Sequence, residues 1–230
     1  MRTKIICFIA LAGSILTVPV FAKTGPEVLQ ECSSCHAITK PADASLARVW
    51  ERKGPDLYYA GVKFNREWLA TWLQNPTTIR PGGVMYSKVV KASTDKSADA
   101  IDASLLTAHV KLSKDDAEAV TTELMKLGTD LDLVQKGSFK NEPSGPMASM
   151  LFSKLRGCSS CHSAAVGTGG QSGPELYDAG SRLQPDFVVA YINDPQKFDP
   201  HVWMPKLDLT AADVQKLAGY LTTLKHTETK

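Results

Sequence analysis

The stretch Cys32-Ser33-Ser34-Cys35-His36 recurs, letter for letter, as Cys158-Ser159-Ser160-Cys161-His162. In a chain of 230 residues with five cysteines, the two copies account for every cysteine but Cys7. Taking Cys and His each at about 2 per cent of residues, one chance Cys-x-x-Cys-His has a probability on the order of 10⁻³ and two on the order of 10⁻⁶. The pair is therefore a built feature, and it sets how the rest of the chain is read.

Two thiols followed directly by His have the spacing that attaches a c-type haem. Two thioethers tether the haem vinyl groups, and the His is held beneath the iron as its proximal ligand. Disulfides, a four-sulfur zinc site and a thioredoxin-like redox pair compete for the cysteines. Each leaves both adjacent His residues unexplained.

The N-terminus points to the compartment. Arg2 and Lys4 precede an apolar run from Ile5 to about Val18, and Val20-Phe21-Ala22 is a small-x-small ending suited to signal cleavage. The run falls short of the ~20 residues a spanning helix needs. Residues 1–22 are thus expected to be a signal peptide, Cys7 to leave with it, and the mature chain to be exported to the periplasm or a comparable compartment. The chain has 26 basic and 24 acidic residues; losing Arg2 and Lys4 balances them, which leaves no basic field for nucleic acid. No later stretch has the length and apolarity of a membrane span.

A repeat extends well beyond the motif. An offset of 119 residues aligns Gly54–Met85 with Gly173–Met204 without a gap, matching Gly54/Gly173, Pro55/Pro174, Tyr58/Tyr177, Pro76/Pro195 and Met85/Met204. Between motif and Gly-Pro the offset is 126, so the first copy carries seven extra residues within Ala37–Lys53. After the Met, Leu112 onward matches Leu209 onward at an offset of 97, which leaves about 22 extra residues in the first copy, roughly Tyr86–Val110. Self-similarity with local length changes marks a duplicated unit with variable loops.

Helices are expected after Pro26 and Pro146, leading into the motifs, over "REWLATWLQN" from Arg66 and "PDFVVAYIND" from Pro185, and after Ser113 and Thr210, which cap amphipathic stretches. No alternating strand pairs are evident, so the fold class is all-α, with domains at 23–128 and 145–230 joined by a polar linker at 129–144. The insertion, rich in Lys, Ser, Asp and Ala, reads as a solvated loop or as a docking element for a larger oxidoreductase.

With these residues in place, each half resembles a class I, monohaem cytochrome c domain, and the whole resembles a diheme c-type cytochrome made of two such tandem domains. The resemblance implies two covalently bound haem c groups, anchored by Cys32, Cys35, Cys158 and Cys161, with His36 and His162 as proximal iron ligands. It implies that the carbonyls of Pro55 and Pro174 accept a hydrogen bond from those imidazoles, and that Met85 and Met204 fill the sixth positions. Met204 is followed by Pro205, as in the family pattern; Met85 is followed by Tyr86 and the insertion.

Other donors remain open. His109 lies in the insertion and reads as a surface histidine, with replacement of Met85 as the alternative, and His201 stands three residues before Met204, although its repeat counterpart is Gly82. His226 reads as a solvated terminal residue, and Met125, Met147 and Met150 as core packing. Trp68, Trp72, Phe187 and Tyr191 sit on apolar helix faces, suited to haem or to core; Trp50 has no assignment.

Two His/Met-ligated haems would make the chain an electron-transfer protein, not an enzyme, passing electrons between redox protein partners. The alternatives are a haem enzyme of the peroxidase or sulfur-compound dehydrogenase type with a labile first haem, and a haem subunit of a larger oxidoreductase.

Overall fold

The computed structural model describes residues 23–80, 83–94, 99–141 and 145–225. The expected signal segment and His226 lie outside the described residues. Within them the chain is mostly helical, and no helix is long and apolar enough to cross a membrane.

The first half begins with α1 (Gly25–Cys32), whose start is set by Pro26 in the first turn and by the Thr24 N–H donating to the Glu27 carboxylate at 2.7 Å. It continues through α2 (Leu46–Glu51), α3 (Ala60–Lys63), α4 (Arg66–Gln74) and α5 (Lys114–Leu124). Helices α1 and α4 both pack on α5. The second half repeats the plan with α6 (Gly145–Met150), α7 (Ala179–Arg182), α8 (Pro185–Asn193) and α9 (Ala211–Thr223), where α6, α7 and α8 pack on α9. Ser113 and Thr210 cap their helices as their positions suggest: the Asp116 and Asp213 N–H groups each donate to the cap hydroxyl at 3.1 Å.

Repeat-matched positions line the two cores. Leu69, Leu73, Ala117, Val120 and Leu124 are buried in the first, and their counterparts Val188, Ile192, Val214, Leu217 and Leu221 in the second. Each buried aliphatic side chain of this size contributes about 1.5–3 kcal/mol.

Two features differ from the sequence expectation. First, the fold is not wholly helical: β1 (Val90–Ala92) and β2 (Asp99–Ile101) pair antiparallel, with Val90 opposite Ile101 and Ala92 opposite Asp99. Strands of three residues are too short to present an alternating pattern, so this insertion hairpin is invisible to periodicity. Second, Met147 and Met150 are exposed, at 50 and 44 per cent; α6 buries Ala148 instead, and the π-helical turn Leu151–Leu155 that follows it buries Leu151 and Phe152. The joining segment is also anchored to the second half through residues 137–140. The Gly137 and Phe139 N–H groups both donate to the Asp186 carboxylate at 2.8 Å, and the Lys140 N–H donates to the Gln215 side chain at 2.9 Å.

The two halves meet across a near-twofold relation between repeat-matched residues. Phe64 and Leu183 form an antiparallel bridge. The Asn65 N–H donates to the Arg182 carbonyl at 2.8 Å, and its counterpart, the Gln184 N–H, donates to the Lys63 carbonyl at 2.9 Å. The side-chain amides repeat the exchange: Asn65 donates to the Ser181 and Leu183 carbonyls, and Gln184 to the Gly61 and Phe64 carbonyls. This is a self-complementary contact between two copies of one unit, as in a twofold dimer.

Tyr58, Tyr59, Val62, Leu133, Phe187 and Phe198 form a third buried cluster drawn from both halves and the joining segment. Around it, Arg52 on the seven-residue insertion donates to Asp199 at 2.8 Å and to the Gly83 carbonyl at 2.7 Å, and Arg80 donates to Glu175 at 2.6 Å. Asp199 and Glu175 are buried. The Tyr58 hydroxyl donates to the Phe198 carbonyl at 2.8 Å.

Candidate functional site

Each Cys-x-x-Cys-His is wound as a tight turn. The Cys35 and His36 N–H groups both donate to the Cys32 carbonyl, at 3.1 and 3.0 Å, and Cys161 and His162 do the same to Cys158, at 3.2 and 3.0 Å. The first turn is the direct continuation of α1; in the second, Gly157 at φ 67° separates the π turn from the motif.

The loop after each motif holds the imidazole. The Leu57 N–H donates to the Ala37 carbonyl at 2.8 Å, and its counterpart Leu176 donates to Ser163 at 2.7 Å, which brings the Gly-Pro pair beside the ring in each half. His36 Nδ1 lies 2.7 Å from the Pro55 carbonyl oxygen, and His162 Nδ1 lies 2.8 Å from that of Pro174. A carbonyl only accepts, so both Nδ1 atoms carry the proton and both Nε2 atoms are bare.

The glycines explain how close this approach is. A Cβ on Gly54 would stand 2.5 Å from His36 Cε1, and one on Gly173 would stand 2.5 Å from His162 Cε1. Only a residue without a side chain fits there. Burial pushes both imidazoles below their ordinary pKa, against the opposing pull of the proline carbonyls. Both rings are therefore neutral at pH 7, with a fixed orientation and an unprotonated Nε2, which is the state a metal ligand needs.

All four described cysteines are free thiols. Burial raises the pKa of Cys32 and of Cys158. A redox-active dithiol needs the reverse, a depressed pKa that exposes thiolate. The two pairs stand in separate halves, and among the described residues no three His, Cys, Asp or Glu side chains converge as a metal-holding group. A tetrahedral four-sulfur set is not assembled. The donor set of each motif fits a haem c: two thiols free to form thioethers beside a neutral, carbonyl-anchored imidazole.

The surroundings of the two motifs differ. Met204 packs on the second core cluster, which also receives Cys158, and its carbonyl accepts from the Gln196 amide at 2.8 Å. Met85 is buried, 8 per cent exposed, yet among the described residues it joins none of the three clusters, including the one that receives Cys32. Its loop leans on the Gly-Pro side: a Cβ on Gly83 would stand 2.3 Å from the Pro55 nitrogen.

The residue that faces the first motif comes from the insertion. The His109 ring centre is 6.1 Å from that of His36 and 4.7 Å from Trp72. Trp72 stacks on Trp68 and Trp68 on Phe64, so an aromatic column runs from the interface of the halves to His109. His109 has no repeat counterpart, and a comparison of the two copies cannot detect it; ring spacing in three dimensions is the signal that does. Phe187 and Tyr191 belong to the aromatic cluster between the halves. His201 is half-buried, and its N–H donates to Asp199 at 3.0 Å. Trp50 is exposed, with the Lys88 ammonium 4.9 Å above its ring.

No protein-family model matches the chain, and neither does any curated protein or solved structure. The functional reading therefore rests on the residues and their geometry.

Proposed function

We propose that the chain is an exported two-haem c-type cytochrome that relays electrons between protein partners, each half being a cytochrome c-like domain with one covalently attached haem. The single observation that carries this reading is the duplicated imidazole mount. In both halves the motif His gives Nδ1–H to the carbonyl of a Gly-Pro proline, with the glycine packed flat against the ring. A hydrogen bond of this kind from the outer nitrogen fixes a metal-bound imidazole and raises its basicity.

When bound, a c-type haem supplies a one-electron iron couple whose potential depends on its axial ligands and its burial. The chain does the rest. Cys32, Cys35, Cys158 and Cys161 would anchor the groups, His36 and His162 would ligate the irons, and Met204 would be the second protein ligand in the second half. For the first half the sequence offers two donors, Met85 and His109. A sixth protein ligand keeps substrate off the iron, so the product of the reaction is an electron delivered to a partner rather than a changed substrate.

Exposed apolar residues flank the second motif in the chain: Leu155 before it, Val166 after it and Trp203 beside Met204. Such residues suit a transient docking contact, and a near-balanced net charge suits partners found by local patches rather than by a global field.

The test is direct. Expressed in a host with c-type haem maturation, the protein should retain haem through a denaturing gel, and its mass should exceed that of the polypeptide by two haem groups. Cys32→Ala with Cys35→Ala, or Cys158→Ala with Cys161→Ala, should each remove one. A chain that matures without covalent haem would end the proposal.

A further inference from the structure

We propose that His109, delivered by the insertion, is the sixth ligand of the first haem, so that the first haem is held by two histidines while the second is held by His162 and Met204. This rests on the two-haem reading and concerns only the first half.

Three observations carry it. An imidazole whose nitrogen is about 2 Å from a metal has its ring centre about 3 Å away, so two rings ligating from opposite sides stand about 6 Å apart. The His36 and His109 centres are 6.1 Å apart, with planes inclined by 44°. Rotation about the common axis leaves that inclination free, so no value of it conflicts with ligation.

Next, the His109 ring is held at one nitrogen: its Nδ1 lies 2.8 Å from the Val110 carbonyl oxygen, which leaves Nε2 as the nitrogen available to a ligand. Its ring is also seated against Trp72 at 4.7 Å, the end of the Phe64–Trp68–Trp72 column, so its position is packed on one face.

Finally, the methionine alternative is weaker in this half alone. Met204 packs on the cluster that receives the motif cysteine Cys158, whereas Met85 does not join the cluster that receives Cys32. The repeat alignment that pairs Met85 with Met204 stops at the residue where the insertion begins, and the insertion brings its own donor.

The consequence is a functional asymmetry. A thioether favours ferrous iron and raises the potential, and a second imidazole in its place does so less. The first haem then has the lower potential, which orders electron flow from the first half to the second.

The experiment uses the full-length matured protein in its ferric state and follows the sulfur-to-iron charge-transfer band, low-spin electron paramagnetic resonance and a redox titration. The wild type should show sulfur ligation at one haem of two. Met204→Leu should abolish the band, and Met85→Leu should leave it unchanged. His109→Ala should turn the first haem high-spin and open it to added imidazole. His109→Met should double the band and raise the lower potential, and this gain keeps the test decisive if an alanine variant matures poorly. A band halved by Met85→Leu, or a first haem whose spin state ignores His109→Ala, would overturn the ligand assignment while leaving the cytochrome reading intact. Absence of covalent haem would instead defeat that reading.

Discussion

At the motif histidines the two halves are near copies; in what surrounds them they are not. His36 and His162 make the same bond to the same kind of proline carbonyl, 2.7 and 2.8 Å long, against the same kind of glycine. Around them, one half packs Met204 on its core cluster, and the other sets the His109 ring 6.1 Å from His36 and against Trp72. The part that holds a ligand still tolerates little change, because a methyl group at Gly54 or Gly173 has no room. The part that would supply a sixth ligand in the proposed cytochrome is a loop, and a loop accepts insertions at low cost in stability. A duplicated domain can thus diverge in electronic character while its scaffold stays the same.

The halves also differ at the matched pair Lys63 and Arg182 beside their contact. Arg182 is buried with Asp178 at 3.1 Å and donates to the Glu175 carbonyl. The Lys63 ammonium lies over the Tyr59, Phe64 and Phe187 rings, with no carboxylate within ion-pair distance among the described residues. Desolvation, with Arg182 and Arg52 nearby, pushes its pKa down to about 7, although part of the residue stays exposed. The unfolded chain keeps the ordinary value near 10.5. Between these values the unfolded state binds the extra proton, so stability rises with pH from about 7 to about 10, and below 7 the full penalty applies. This is the largest expected effect: in chemical denaturation across that range Lys63→Met, with no proton to lose at this site, should lack the rise that Lys63 gives the wild type and be the more stable of the two at pH 6.

Next in size is the ionic link between the halves. Arg52 is the partner of buried Asp199 and also holds the Gly83 carbonyl. Removing one member of a buried pair leaves the other charge without compensation, at about 3–5 kcal/mol. Arg52→Ala should lower the unfolding free energy by about that much, and Arg52→Ala with Asp199→Ala should recover part of it; single losses that simply add in the double variant would show the link to be idle.

Steric crowding at the mounts comes third. Gly173→Ala puts a methyl 2.5 Å from His162 Cε1 and should cost about 1–3 kcal/mol. It should also alter the electron paramagnetic resonance of the second haem alone, and Gly54→Ala that of the first alone. A variant that disturbs the other half's haem would contradict the separation of the two mounts.

Much of the fold was legible in the sequence because it is local. Caps at Ser113 and Thr210, prolines at 26, 146 and 185, and apolar residues every three or four positions determine helices through neighbours in the chain. The Gly-Pro pair was legible through the repeat. What escaped depends on distant partners: the three-residue strands at Val90 and Asp99, the outward turn of Met147 and Met150, and the bonds that tie the linker backbone to Asp186 and Gln215. His109 escaped in part for a related reason, since its 6.1 Å approach to His36 spans an insertion with no periodicity and no counterpart.

The smallest expected effect tests the twofold contact itself. Asn65 and Gln184 stand at the N-caps of α4 and α8, where a side chain ordinarily accepts from its own helix. Neither does so; each amide instead donates to two carbonyls of the opposite half or of the loop that meets it. A hydrogen bond contributes about 1 kcal/mol net. Asn65→Ala and Gln184→Ala should therefore each cost about 1–2 kcal/mol in denaturant unfolding, at similar size because the positions are equivalent. Asn65→Asp separates this arrangement from ordinary capping. A carboxylate at an N-cap would improve a cap, but it cannot donate to the Ser181 and Leu183 carbonyls, so a loss of stability on that substitution is the result that the interface predicts and capping does not.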